Sequence, residues 1–251
     1  MSGHSKWATI KRKKGANDAK RSAMYAKLLR AIEVAAKEGG GNVTANMTLS
    51  SAVEKAKSFS VPNDNIDRAI KRGTGADAGG ATYEELIYEG YAAGGIALLV
   101  EALTDNRNRT SQEIKHAFSR NQGNLGAQGT TAWMFSRHGL IVVEKSVAPD
   151  EDRLLEVALE SGADDLRDSE SSWEIVTDPQ TFKAVSEALQ AAGVPVFSAD
   201  ITMIPQSTIP VSGAEARAVL GLIDVLEELE DVQNVYANFD IPEEVMAELG
   251  G

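Results

Sequence analysis

The sequence has no cysteine. That absence removes disulfides, thiolate nucleophiles and Cys-ligated zinc together, and it fits a reducing compartment. No apolar run approaches the ~18 residues that suggest a membrane span. No apolar stretch follows the basic N-terminus, as a secretory signal requires. Histidine is scarce, and His4, His116 and His138 are scattered with no pair at metal-ligand spacing. No serine sits in a nucleophile-elbow pattern. These gaps leave no cofactor, no metal, no small-molecule substrate and no positive sign of catalysis. The reading is a non-enzymatic, cytoplasmic protein.

Acid is almost missing from the first thirty residues, where Asp18 stands alone among nine cations: Lys6, Lys11, Arg12, Lys13, Lys14, Lys20, Arg21, Lys27 and Arg30. The whole chain is nevertheless acidic, at a formal net charge of -12. Residues 1–72 hold 15 Lys+Arg against 6 Asp+Glu, and residues 73–251 hold 10 against 31. Such segregation suits one segment that meets a polyanion and a remainder that polyanions avoid. An acid-poor start with Arg and Ser also suits an organelle transit peptide, but this arm runs straight into a well-patterned helix.

Residues 2–17 read as an arm with one aromatic, Trp7. Asn17 or Asp18 can cap the helix that follows. Tyr25, Leu28, Leu29, Ile32 and Ala36 recur at helical spacing, and Lys20, Lys27 and Arg30 fall on the opposite face. Gly39-Gly40-Gly41 ends that helix. A second helix is expected from about Leu49 to Phe59, and a third from Pro62-Asn63-Asp64 to Gly73, with Arg68, Lys71 and Arg72 projecting outward. Lysines and arginines displace condensed counterions from a phosphodiester backbone. The candidate nucleic-acid contacts are therefore Lys6, Trp7, Lys11, Arg12, Lys13, Lys14, Lys20, Lys27, Arg30, Arg68, Lys71 and Arg72. The bland alternative is that the lysines serve solubility. For Trp7, packing into the bundle is favoured over stacking on a base.

From residue 81 strands alternate with helices. Ile96–Leu103 reads as a buried strand, and Thr110-Ser111-Gln112-Glu113 as a capping box opening a helix at Thr110. Thr130–Phe135 reads as another strand. Then Leu140–Glu144, Glu151–Glu160, Asp164–Arg167, Trp173–Thr177, Thr181–Ala192 and Val196–Met203 run in βαββαβ order, the ferredoxin-like arrangement. Gln206–Val211, Glu215–Leu229 and Val232–Phe239 supply strand, helix and strand, followed by a short helical tail. The expected fold is α+β with three domains: a basic helical bundle over 1–76, a split α+β domain over 77–137 plus 205–251, and an α+β domain inserted at 138–204. Both α+β domains are expected to be ferredoxin-like.

In the acidic part, Arg107 and Arg109 precede a helix N-terminus, where a phosphate or a partner's carboxylate could bind. The alternative is that they pair with neighbouring acids. Gly123, Gly126 and Gly129 lie between helix and strand, the reverse of phosphate-loop order, and read as turn makers. Glu84, Glu85 and Glu89 could serve a carboxylate-dependent nuclease, a remote alternative in so acid-rich a segment.

Four stretches carry a family resemblance: SGHSKWATIKRKKGANDAKR, VPNDNIDRAIKRGTG, YEGYAAGGIALLVEALTDNRNRTSQEIKHAF and the GNLG-containing loop. The chain resembles the YebC/PmpR family, whose mitochondrial relative is a translational activator of cytochrome oxidase. The family commonly has Gly-Pro-Gly-Gly where this chain has Ala92-Ala93-Gly94-Gly95, and often an arginine near Thr48. The resemblance implies a helical N-terminal domain followed by two α+β domains, and regulation of gene expression in the cytoplasm. It implies a DNA-binding transcriptional regulator or, alternatively, a ribosome-associated translation factor that binds rRNA or tRNA and relieves stalling, for example at proline runs. The residues themselves show no recognition helix with Arg, Asn and Gln set for base edges, which suits sequence-blind RNA contacts at least as well as an operator.

Overall fold

The computed structural model of the chain describes residues 18–75, 83–148, 150–169, 171–241 and 245. The expected helical tail beyond Asp240 lies almost wholly outside them. The chain divides into two compact units. One contains the basic helices, the segment up to Thr131, and Ser212–Val235; the other contains Ala132–Val211 and the chain from Tyr236.

The first unit opens with α1 (Asp18–Gly39), α2 (Met47–Ser58) and α3 (Asn63–Gly73). The predicted stripe of α1 is its inner face. Leu28, Ile32, Ala35 and Ala36 are buried against Leu49, Val53, Ala56, Ile66 and Ala69, with Tyr25 and Leu29 at the margin. α2 begins two residues earlier than expected because Asn46 caps it: its side chain accepts from Leu49 N at 3.1 Å. The same buried amide donates to Ala35 O and Gly40 O, so one side chain ends α1 and starts α2. At Gly73 a Cβ would lie 2.2 Å from the Glu33 carbonyl oxygen, so only glycine lets α3 approach α1 this closely.

The rest of this unit is a sheet in the order β3-β1-β2-β9: β1 (Glu84–Tyr91), β2 (Ala97–Thr104), β3 (Asn124–Leu125) and β9 (Val232–Ala237). Helix α4 (Arg107–Arg120) follows β2, and α7 (Gly213–Glu228) precedes β9 and packs on α4. Three expectations change here. First, β1 pairs antiparallel with β2 along its whole length, Glu84 facing Thr104 and Tyr91 facing Ala97. Its three glutamates hide it from a hydrophobicity reading. Second, α4 begins at Arg107, because Asn106 takes the cap by accepting from Arg109 N at 3.2 Å. The Thr110 box is thus inside the helix. Third, residues 130–134 are a turn and a 3-10 segment, Ala132–Met134. The amide and hydroxyl of Thr131 bond Glu89 and Leu98, and so leave the ladder.

The second unit carries the inserted βαββαβ order: β4 (Phe135–Glu144), α5 (Glu151–Glu160), β5 (Asp165–Ser169), β6 (Ser172–Thr177), α6 (Phe182–Ala191) and β7 (Ser198–Pro205). The sheet order is β5-β6-β4-β7, and every described pair is antiparallel. β4 starts five residues earlier than expected, since Phe135 to Gly139 already pair with Pro205 to Ile201. Ile141, Val143, Leu154, Trp173, Ile175, Val185 and Leu189 form the core beneath the helices. The expected strand 206–211 shrinks to β8 (Ile209–Pro210), which pairs in parallel with β10 (Phe239–Asp240). The α+β class stands, while the split sheet is built from the β1–β2 hairpin and not from residues 130–135 and 206–211.

Candidate nucleic-acid interface

Six of the expected contacts, Lys6, Trp7, Lys11, Arg12, Lys13 and Lys14, lie outside the described residues. Lys20 falls in the first turn of α1. The other cations divide sharply. On α3, Lys71 is exposed. Arg68 is exposed as well, with its guanidinium donating to Asp64 O at 3.1 Å and Asn65 Oδ1 at 2.6 Å. Arg72, with its side chain still 42% exposed, pairs with the buried Glu33 at Oε2, 3.0 Å away.

Lys27 and Arg30 do not stand on the open face expected of them. Lys27 is buried, and its Nζ donates to the Glu227 carbonyl at 2.5 Å. Arg30, only 11% exposed in its side chain, donates to Asp231 Oδ1 and Glu230 Oε1, both at 2.8 Å. It also reaches the Leu103 carbonyl at 3.1 Å and lies 5.1 Å from the Tyr83 ring centroid. The reason is that α1 has two packed sides. One faces α2 and α3; the other meets the end of α7 and the turn into β9, whose acids lie about 200 residues further along the chain. A local helical pattern shows the first partner and not the second.

Asp231 is the centre of this contact. Its side chain is 1% exposed and accepts from Arg30, Arg109, Thr104 and Thr110. Arg109 reaches Oδ2 at 2.8 Å and also pairs with Asp105 at 2.9 Å. Burial alone would raise the Asp231 pKa, but donation from Thr110, Arg109 and Thr104, with the nearby positive charge, outweighs it and holds the carboxyl below its ordinary value. The hydrogen bond to Asp231, and then that to Asp105, raises the pKa of Arg109 further. Arg109 is therefore committed within the fold. Arg107, two residues earlier, is exposed and has no hydrogen-bond or ion-pair partner among the described residues. Sequence reasoning missed Asp231, which carries no motif; its signal was only an acid set between a helix end and a strand.

The three glutamates do not converge. Glu84 and Glu89 lie an odd number of positions apart on β1 and so project to opposite faces. Glu89 is buried and accepts from Gly129 N and Thr131 N, each at 2.6 Å. Gly126 N bonds the Glu89 carbonyl at 2.8 Å. This carboxylate shapes the glycine loop as an anion site would, but the anion is the protein's own. Among the described residues, no three His, Asp or Glu side chains are placed to hold a metal ion, and no helix is long and apolar enough to cross a membrane.

Comparison with known proteins agrees with the motifs. Residues 5–76 match the family model described as the TACO1/YebC protein N-terminal domain. Residues 83–239 match that of the TACO1/YebC second and third domain. A protein of Rubrobacter xylanophilus named "Probable transcriptional regulatory protein" is 54% identical over 251 residues, covering 100% of both chains. One of Geobacter sulfurreducens with the same descriptive name is 54% identical over 249 residues, covering 99% of this chain and 100% of its own. The crystal structure of a conserved hypothetical protein from Aquifex aeolicus superposes with a TM-score of 0.80 at 46% identity, covering 91% of this chain and 93% of that one. With both family models matched in chain order and relatives similar from end to end, the chain belongs to the TACO1/YebC family.

Proposed function

We propose that this protein is a nucleic-acid-binding regulator of gene expression, acting as a DNA-binding transcriptional regulator and not as an enzyme. Its first contact with the phosphodiester backbone is made by the N-terminal segment. The observation that carries the reading is charge segregation: the excess of Lys+Arg over Asp+Glu in residues 1–72 reverses in the remainder. The fold refines the contact set. Lys27, Arg30, Arg72 and Arg109 hold the protein together, so they leave the set. The arm cations Lys6, Lys11, Arg12, Lys13 and Lys14 remain, with Lys20, Arg68 and Lys71. The names of the relatives favour the transcriptional form. A second reading, a ribosome-associated translation factor on rRNA or tRNA, is favoured by the sequence-blind character of this remaining set, which has cations for phosphates and no paired amides for base edges.

Crosslinking followed by sequencing of the nucleic acid bound in cells tests the reading. Enrichment of promoter DNA supports the transcriptional form, and enrichment of rRNA or tRNA the translational one. Enrichment of neither overturns both. Changing Lys11, Arg12, Lys13 and Lys14 together to Ala should weaken binding to every sequence and reduce the slope of log affinity against log salt by about 3–4. Unchanged binding would refute the arm's role.

A further inference from the structure

Helix α4 lies in the acidic part of the chain, yet its solvent face is not acidic. Arg107, Asn108, Gln112, Lys115, His116 and Arg120 are all exposed. None makes a side-chain hydrogen bond or an ion pair to another described residue. The buried side of the helix is Thr110, Ile114, Ala117 and Phe118. Its one acid, Glu113, is half-buried. Asn108, Gln112 and His116 recur at steps of four, and Lys115 stands three beyond Gln112, so the four form one outward face. Arg107 and Arg120 mark its two ends.

We infer that this face of α4 is a second nucleic-acid contact, and that it reads base edges where the N-terminal cations grip only phosphates. The inference rests on the nucleic-acid function proposed above. Three arguments carry it. The first is residue type: Asn and Gln amides can bond adenine in a bidentate manner, Arg and Lys bond guanine, and both cations also neutralise phosphates. The second is charge: an unpaired cationic face within a segment of 10 Lys+Arg and 31 Asp+Glu needs a polyanionic partner more than it needs solubility. The third is continuity with the basic segment. Asp231 joins Arg30 of α1 to Arg109 in the first turn of α4, so the N-terminal end of the stripe adjoins the basic helix. A helix of 14 residues is about 21 Å long, enough to lie along a groove about 12 Å wide. The phosphodiester backbone and base edges are common to DNA and RNA, and the arms of the test separate them.

The test measures binding of the full chain to a DNA duplex and an RNA duplex of the same sequence, each about two helical turns or 20 bp long, as a function of salt. A bound cellular site and a scrambled sequence are compared. Arg107, Lys115 and Arg120 changed together to Ala should lower affinity for both sequences and reduce the salt slope by about 2–3. The Asn108→Ala and Gln112→Ala double variant should keep the affinity for scrambled sequence and lose about tenfold or more of the preference for the bound site. The major groove of A-form RNA is too deep and narrow for side chains to read, so the loss of preference on the DNA duplex alone marks DNA as the ligand. Equal loss on both duplexes, or loss on RNA alone, overturns the reading of base edges in a major groove. All these side chains are exposed, and unchanged circular dichroism and unfolding midpoint show the variants to be folded. If the arm variant loses binding while both α4 variants behave as wild type, this inference is overturned and the proposed function stands. If the wild-type chain binds neither duplex, this inference falls, and the crosslinking experiment alone decides the proposed function.

Discussion

Asp231 illustrates what a single buried carboxylate can do. It satisfies two guanidiniums and two hydroxyls at once, and only such full use offsets the cost of taking the charge out of water. Asp231→Ala should lower stability by about 3–5 kcal/mol, because Arg30 would be left in its pocket with one partner gone; urea unfolding measures this. The pH dependence has a definite sign. The Asp231 pKa is depressed from 3.8, so its contribution is complete above that value and is lost as pH falls through the folded-state value. The stability gap between wild type and Asp231→Asn should therefore be flat near neutrality and close below pH 3.8. Glu89 makes a parallel case. Glu89→Gln sets an amide donor against one of two backbone donors, and should cost about 1–3 kcal/mol. It should also speed hydrogen exchange at the Gly129 and Thr131 amides. Neither role was legible in the sequence, since both depend on partners 40 or more residues away.

Among elements, the helices of the bundle could be read directly because period and punctuation agreed. The stripe from Tyr25 to Ala36 packs as expected, and Gly73 stops α3 while touching α1. The βαββαβ order of the inserted segment was legible for the same reason: β4, β6 and both helices each turn apolar residues into one core. β1 was not, because EELIYEGY spends one position in three or so on glutamate. The start of α4 was misread because two capping signals stood four residues apart and Asn106 won. Lys27 and Arg30 were placed on an open face because helical periodicity assigns polar residues to water, whereas α1 has a second, polar packing face. Glycine substitutions test the packing. Gly73→Ala puts a Cβ against the Glu33 backbone and Ala36, and should destabilise by about 1–3 kcal/mol. Gly221→Ala in α7 meets nothing within 4 Å, and should stabilise by about 0.4–1 kcal/mol. Thermal unfolding of the pair distinguishes a close approach from a tolerated glycine.

At the scale of the whole molecule, charge is sorted twice. The sequence separates a basic segment from an acidic one, and the fold then buries Lys27 and Arg30 and pairs the half-exposed Arg72 and Arg109 with its own acids. Which cations are left for a ligand is decided by the second step, so composition alone overcounts them.

The clasp between Arg30 and Asp231 also constrains the order in which the protein can be made. Synthesis is vectorial, and the residue that anchors the first helix is translated 201 residues after its partner Arg30. Until then, one side of α1 has no carboxylate to meet, and its lysine and arginine remain in water. A nascent chain stalled before position 231 should show α1 amides less protected than in the completed chain, with the protection given by α2 and α3 already present. Closure of the N-terminal helix onto the turn before β9 is thus a late, long-range event, and early release of the chain would leave the basic helices tethered but undocked.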